Sequence, residues 1–241
     1  MSDAAKDRMK SVVFALALCI SCSFLLTWAS SGLKNRQEKN ILSDKRKNIL
    51  LAAGIDAMSY SHEKVASMYA RNISVCWVSP DGRILNEKPD DANLLSIYLH
   101  IKDGNIKSYI IPVNTRGLWG RIMGYLALES DGSTVSGFTV YSHNETPGLG
   151  GEIEKRWFQN NFKGKRIVNR QMNFVSVEVA KGKAPDISKE NFVDGISGAT
   201  LTGRFLSEGL KDILKSYEPV SIKFRTDPEV IRTMMMNNRE E

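Results

Sequence analysis

Two hydroxyl side chains, Ser197 and Thr200, lie among small residues in a stretch whose pattern favours chemistry on a phosphate group. After Thr200 apolar residues recur at three- and four-residue spacing, which predicts a helix that begins at or just after Thr200. The first backbone N–H groups of a helix have no intrahelical partner, and together with the helix dipole they attract phosphate. Gly198 and Ala199 leave room for a bulky ligand to approach the backbone. We expect Pro219 to end this helix at about Tyr217 or Glu218.

Two other interpretations of this stretch compete with phosphate binding. Ser197 or Thr200 could be an ordinary helix cap, since both residue types are common at that position. Gly195–Ala199 is also one residue away from the G-x-S-x-G motif of α/β-hydrolases. A serine nucleophile needs a histidine base, and all three histidines of the chain precede Ser197. The Ser…Asp…His order of those hydrolases is therefore not met.

Two glycine-containing stretches upstream have the composition of ligand-binding loops. Gly117-Leu118-Trp119-Gly120 predicts a tight loop that carries one aromatic ring. Glu145–Gly151 has three glycines and one proline in its last five positions, which predicts unusual backbone angles. Such a loop can press N–H groups and an apolar side chain, here Leu149, against a flat ring. The alternatives are a packing loop at the first stretch and an ordinary hairpin exit at the second.

Taken together and in this order, the three stretches resemble a known family. D-G-x-S-G-A-T-x-T, which covers Asp194–Thr202, is similar to the flavinylation motif of the C subunits of Na+-translocating NADH:quinone reductases. It is also similar to that of their relatives, the G subunits of the Rnf ferredoxin:NAD+ oxidoreductases. The length of the chain favours the NADH:quinone reductase branch, because the Rnf relatives lack much of what lies here between about 50 and 110. After the motif, Gly203 and Arg204 stand where many members continue with small polar residues.

The resemblance implies a covalent FMN, joined through its phosphate as an ester to the hydroxyl of Thr200. It implies no catalytic residue and no metal ligand in this chain. The cofactor-binding residues that we expect are Thr200, Ser197, Gly198, Ala199, Leu201, Thr202, Glu145, Thr146, Gly148, Leu149, Leu118 and Trp119.

The function that the resemblance implies is that of an electron-relay subunit, part of a translocase that moves Na+, oxidises NADH and reduces ubiquinone. Its partners would be the other membrane subunits of the reductase and a flavin transferase that matures it. The sequence itself shows no nicotinamide-binding glycine pattern, iron–sulfur ligand set or quinone pocket. Two further functions stay open, namely a membrane-tethered domain that binds a phosphorylated ligand without a covalent bond, and a structural accessory subunit whose motif is a relic.

The elements around these stretches predict an α+β fold: one N-terminal transmembrane helix, then a single FMN-bearing domain with an antiparallel sheet and flanking helices. We expect an N-terminal tail at 1–10, the transmembrane helix at 11–33, a juxtamembrane helical segment at 34–70 and the FMN-binding domain at 71–241. Within the juxtamembrane segment the pattern predicts a break near Gly54 and a second helix through His62–Tyr69. A short amphipathic or frayed tail is expected after Pro228.

In the expected domain a strand is predicted at Ser74–Val78, and two hairpins follow, around Asp103-Gly104-Asn105 and Asp131-Gly132. The second hairpin ends at the Glu145–Gly151 loop. A short helix is predicted over Glu152–Phe162 and another strand over Phe174–Val179.

The basic character of the chain belongs to its N-terminal part. The net charge is +6, and residues 1–47 hold nine Lys and Arg against four Asp and Glu, which leaves a net charge of only +1 for the rest. The excess flanks 23 uncharged residues at 11–33, which are long enough to span a bilayer as a helix. This distribution excludes nucleic-acid binding as the reason for the charge.

We expect the span to be an uncleaved anchor in the bacterial inner membrane. The alternatives are a signal peptide cleaved after Ala29-Ser30-Ser31 and a lipoprotein site at Cys22. Six Lys and Arg follow the span within fifteen residues and three precede it, so charge alone puts the C-terminal domain in the cytoplasm. The resemblance implies the periplasm, which we adopt. Three cysteines provide no disulfide framework, although Cys19 and Cys22 have the spacing of a redox pair or half a metal site.

Overall fold

The computed structural model describes residues 3–87 and 94–226. The tail predicted after Pro228 lies outside the described residues. By its internal contacts the chain divides into two units, Met1–Ser43 and Asp44–Glu241. The first unit is helical throughout its described part, as the N-terminal portion of helix α1 (Asp3–Ala52). In the described residues this is the one helix whose length and apolar composition suffice to cross a membrane.

The second unit begins with the last residues of α1, which end at Ala52 just before Gly54 in a left-handed conformation (φ +84°). Helix α2 follows at His62–Asn72, with the Ser61 hydroxyl accepting the Lys64 N–H as its N-cap. The predicted break near Gly54 and the helix that starts at His62 are therefore confirmed.

A six-stranded antiparallel sheet forms the centre of this unit, in the order β2-β1-β3-β4-β5-β6. Its strands are β1 Ile73–Val78, β2 Ile84–Leu85, β3 Leu95–Lys102, β4 Asn105–Arg116, β5 Arg121–Glu129 and β6 Val135–Ser142. The hairpin predicted around Asp103-Gly104 joins β3 to β4, and the one around Asp131-Gly132 joins β5 to β6. These hairpins and the strand β1 are confirmed.

Alternation along the central strands gives the sheet two buried faces. On β4, Tyr109, Ile111 and Val113 belong to the larger core, whereas Ile110 belongs to a smaller core on the other face. The larger core contains the buried side of helix α4 (Thr200–Thr226), and the smaller one contains Ile49 and Leu50 from the end of α1. The predicted α+β class with an antiparallel sheet and flanking helices is confirmed.

Pro219 does not end α4, contrary to our prediction, because the helix continues to Thr226 with the proline inside it. An internal proline costs about 3 kcal/mol through the lost N–H donor and steric conflict. Packing beyond it offsets this cost: Phe224 stacks on Tyr109 with ring centroids 4.3 Å apart, and the Tyr109 hydroxyl donates to Ser221 Oγ at 2.9 Å. Burial raises the pKa of Tyr109, so this hydroxyl stays protonated.

Two further predictions between the sheet and α4 were wrong in extent. The strand predicted over Phe174–Val179 reduces to β7, Glu178–Val179, because Ser176 turns the chain with φ +78°. Strand β7 pairs in parallel with β8, Phe192–Val193.

The single helix predicted over Glu152–Phe162 is a 3-10 helix, Gly150–Glu154, followed by helix α3, Arg156–Asn160. Lys155 between them has extended backbone angles (φ −77°, ψ 141°), which interrupt the helical hydrogen bonds.

Candidate functional site

Two of the predicted site stretches follow strands that finish at the same end of the sheet, and the third lies beside them. Strands β4 and β6 both run antiparallel to β5, so the loop after β4 and the loop after β6 leave the sheet at the same end. The first of these loops contains Leu118 and Trp119, and the second begins at His143. Helix α4 begins beside them at Thr200, and its first turn completes the site.

Ten of the twelve predicted binding residues line one cavity of about 360 Å³. They come from all three stretches, and they are Leu118, Trp119, Glu145, Thr146, Leu149, Gly198, Ala199, Thr200, Leu201 and Thr202. Gly150 also lines the cavity, although we did not single it out from the Glu145–Gly151 loop. Ser197 and Gly148 do not line it; both are exposed, in the turns that precede α4 and Leu149.

Large apolar side chains stay unusually exposed around this cavity. Trp119 is 68% exposed, Leu201 47%, Leu149 43% and Leu118 38%. These residues surround a single opening, and a clustered apolar surface of this kind marks a place where another molecule binds. The arrangement suits a flat apolar ring.

Glu145 holds the three stretches together. Its side chain is only 4% exposed. Its Oε1 accepts the backbone N–H of Trp119 at 3.0 Å, and its Oε2 accepts the hydroxyl of Thr202 at 2.5 Å. The backbone N–H of Glu145 donates to His143 Nδ1 at 3.1 Å, which fixes the start of its own loop.

Two glycines make room for this carboxylate. A Cβ on Gly117 would lie 2.5 Å from Glu145 Oε1, and a Cβ on Gly150 would lie 2.8 Å from Oε2. The predicted loop glycines thus serve the clamp that Glu145 forms with Trp119 and Thr202. At Gly198, where φ is +73°, a Cβ would lie 2.7 Å from Leu149, so this glycine lets the turn before α4 approach the Leu149 side chain closely.

The first turn of α4 presents free donors. The N–H of Gly203 bonds to the carbonyl of Ala199 at 3.0 Å, so the N–H groups of Thr200, Leu201 and Thr202 precede the first intrahelical bond. The first turn of α4 contains no acidic residue. The helix dipole and these donors favour an anion beside Thr200.

The two threonines of the turn differ in accessibility. Thr200 is exposed at the first residue of the helix, whereas Thr202 is 2% exposed and donates its hydroxyl to Glu145. The accessible hydroxyl of the stretch A-T-L-T is therefore that of Thr200.

A second cavity, of about 380 Å³, adjoins Thr200 on the side of strand β7. It contains Lys181, Arg204 and Lys211 together with two acids, Glu178 and Glu208. The Arg204 guanidinium lies 5.4 Å from the centre of the Phe205 ring and 3.4 Å from Glu208. These basic residues were not predicted as site residues; the seven-residue spacing of Arg204 and Lys211, which puts both on one helix face, was the available signal.

Groups of three or more His, Cys, Asp or Glu with the geometry of a metal site are absent from the described residues.

We expect Thr202→Val to destabilise the domain by about 1.5–3 kcal/mol, because it removes a buried hydrogen bond to a charged acceptor. The free energy of unfolding of the purified full-length protein, followed by tryptophan fluorescence in urea, measures the effect. Thr202→Ser keeps the hydroxyl and should lose much less. Equal stability of Thr202→Val and the wild type would show that the clamp does not stabilise the fold.

The site coincides with the matches to known proteins. Residues 117–215 match the family described as FMN-binding domain. The C subunit of the Na(+)-translocating NADH-quinone reductase of Vibrio vulnificus is 33% identical, over 83% of this chain and 88% of the relative. That of Pseudomonas aeruginosa is 30% identical, over 87% of this chain and 90% of the relative.

Solved structures agree with these relatives. The crystal structure of the corresponding Na(+)-translocating NADH-quinone reductase C subunit from Parabacteroides distasonis has a TM-score of 0.69 and 31% identity, and the match covers 81% of this chain and 98% of that one. The relatives are named as subunits of an oxidoreductase, and their identity extends over most of both chains. The chain therefore belongs to the family of the C subunits of Na(+)-translocating NADH-quinone reductases.

Proposed function

We propose that this chain is the flavin-bearing C subunit of a Na+-translocating NADH:quinone reductase, with FMN attached through its phosphate to Thr200. The observation that carries the proposal is the position of the Thr200 hydroxyl, which is exposed at the first residue of α4 and borders both cavities. Membership of the family, whose relatives are named for this reductase, supports the same function.

The surroundings of Thr200 fit a phosphate ester. The free N–H groups of Leu201 and Thr202 are donors for the phosphate oxygens that are not esterified. In the adjoining cavity Lys181, Arg204 and Lys211 outnumber the two acids, Glu178 and Glu208, so that the other side of Thr200 also carries a net positive charge. Ester formation from a flavin donor that carries a phosphoanhydride joins Thr200 Oγ1 to the phosphorus next to the flavin and breaks the anhydride P–O bond. The other phosphate leaves with the electron pair of that bond, and the hydroxyl proton of Thr200 is released.

The cavity formed by the three stretches fits the ring of FMN. Its volume of about 360 Å³ falls within the usual range for small-molecule pockets. Leu118, Trp119 and Leu149 would pack against the ring, and the missing Cβ of Gly150 would allow close backbone approach. When bound, FMN supplies the redox chemistry, while the chain orients it and sets its electrostatic surroundings.

Attachment requires a separate flavin transferase as partner. A neutral threonine hydroxyl is a poor nucleophile, and a base within hydrogen-bond reach is needed to activate it. In the described structure no side chain forms a hydrogen bond with the Thr200 hydroxyl. The exposed turn of D-G-x-S-G-A-T is accessible to such an enzyme.

Thr200→Val should abolish covalent flavin, because valine matches threonine in shape and lacks the hydroxyl that forms the ester. Denaturing electrophoresis under ultraviolet light, after expression with the native modification machinery, should show a fluorescent band for the wild type alone. Thr226→Val, at the exposed far end of the same helix, is the matched control and should keep the band. A covalent flavin on Thr200→Val would refute the assignment.

The flavin domain would act as an electron relay between partner membrane subunits. The exposed rim of the cavity formed by the three stretches leaves a bound ring accessible to a partner. The chain also lacks the glycine pattern of a nicotinamide-binding strand–helix turn, so direct oxidation of NADH is not expected of it.

Stopped-flow spectroscopy with NADH tests the relay. We expect no rapid flavin reduction in the isolated protein, and rapid reduction in the assembled complex. Thr200→Val in the complex should abolish quinone reduction, whereas Thr226→Val should not. Rapid reduction of the isolated protein by NADH would make it a dehydrogenase and contradict the relay.

The flavin domain would lie on the periplasmic side of the bacterial inner membrane, with α1 retained as a single span. The length and apolar composition of the helix support the span, and the family resemblance supports the side. The charge distribution around residues 11–33 favours the opposite orientation, and the side of the membrane is directly measurable.

Protease added to intact spheroplasts should digest the domain and leave a membrane-embedded N-terminal fragment. A cytoplasmic protein of the same cells, which must survive until lysis, controls for leakage. Protection of the domain until lysis would place it in the cytoplasm.

A further inference from the structure

The charge of Glu145 has a consequence for the ligand beside it. Among the described residues that line the cavity of about 360 Å³, Glu145 is the only ionisable one, and it is 4% exposed. In the described part of the protein it forms no ion pair with Lys, Arg or His. A charge that is shielded from water and unpaired acts strongly on its neighbourhood.

The hydrogen bonds of this carboxyl group suit its ionised form. Oε1 accepts from the backbone N–H of Trp119, which can only donate, and Oε2 accepts from the hydroxyl of Thr202. With both oxygens acting as acceptors, these hydrogen bonds suit a carboxylate. Two neutral groups bond to the carboxyl group, and the backbone N–H of Glu145 donates to His143 Nδ1.

We propose that the negative charge of Glu145 lowers the reduction potential of the flavin in this cavity. The proposal rests on the proposed function, because it requires FMN in the cavity. Reduction of the flavin ring by two electrons and one proton adds one negative charge to it. A carboxylate in the cavity wall repels that charge, so it stabilises the oxidised ring relative to the reduced one.

Glu145→Gln separates this charge effect from the clamp. The amide oxygen still accepts the N–H of Trp119, and the amide NH₂ donates to Thr202 Oγ1, because a hydroxyl accepts as well as donates. The volume of the side chain is nearly unchanged, which matters between Gly117 and Gly150. Only the charge is removed.

Glu152→Gln is the matched control. Glu152 lies seven residues later, accepts the Trp157 indole N–H at 3.1 Å, and does not line the cavity that contains Glu145. It undergoes the same change of acid to amide, and therefore the same change in net charge of the protein.

The experiment is a spectroelectrochemical titration of full-length, detergent-purified holoprotein at pH 7, with dithionite as reductant and redox mediators. We expect Glu145→Gln to shift the midpoint potential to a more positive value, on the order of tenfold in the oxidised-to-reduced ratio, or ~30 mV for a two-electron couple. Glu152→Gln should leave the potential at the wild-type value. Thr202→Val, which keeps the charge but removes one of its donors, should shift the potential in the negative direction.

An unchanged or more negative potential in Glu145→Gln would overturn the proposal, as would an equal shift in Glu152→Gln. Loss of covalent flavin from Glu145→Gln would also overturn it, because the carboxylate would then be needed for attachment instead. The fluorescent band tests the proposed function separately. A wild type without that band would refute attachment at Thr200, and the potential of non-covalently bound FMN in the same variants would then decide the role of Glu145.

Discussion

The arrangement of the site depends on the two hydrogen bonds that the carboxylate of Glu145 accepts. The carboxylate links the turn between β4 and β5, the loop after β6 and the first turn of α4. In the described structure no other side-chain hydrogen bond links these three elements to one another. A hydrogen bond to a charged group is worth about 1.5–3 kcal/mol, and leaving such a group unpaired costs more. The same carboxylate therefore holds the turn, the loop and the first turn of α4, and loss of its hydrogen bonds would release all three.

The clamp works only because α4 is held from outside the site. A Cβ on Gly209 would lie 1.6 Å from Thr115 Oγ1 on β4, so the missing side chain brings the helix directly onto the sheet. Leu206, Leu210 and Leu214 of this helix are fully buried in the larger core. Beyond Pro219, Ser221 and Phe224 bind Tyr109. A helix anchored along its length presents its first turn at a defined place, which a free helix end could not do.

Sequence patterns predicted the elements whose signals are local, and failed where contacts distant in sequence decide. Alternation and turn residues located the hairpins of the sheet, and three- and four-residue spacing located the start of α4. Pro219 was misjudged because the packing of Phe224 on Tyr109 outweighs a local helix-breaking preference. The strand predicted over Phe174–Val179 is interrupted at Ser176, which has a positive φ. A serine in the sequence does not indicate such a backbone angle.

The site could be predicted as a set of residues but not as a mechanism. Its three stretches could be named because their glycines and hydroxyls are unusual in composition, and the structure brings most of those residues to one cavity. Nothing local indicates that Glu145 bonds to Thr202, 57 residues away. The basic side chains near Thr200 were missed because Lys181 and Lys211 meet only in the folded chain.

The choice between two threonines shows how the fold adds what the sequence leaves open. Thr200 and Thr202 are two residues apart on a helix, so at 3.6 residues per turn their side chains point about 200° apart. One must then face the protein when the other faces solvent. Because the clamp needs a hydroxyl donor for Glu145 on the inner side, Thr202 is buried and occupied, and Thr200 is left outside with a free hydroxyl beside unpaired N–H groups. The bond that assembles the cavity also determines which of the two threonine hydroxyls is accessible from solvent.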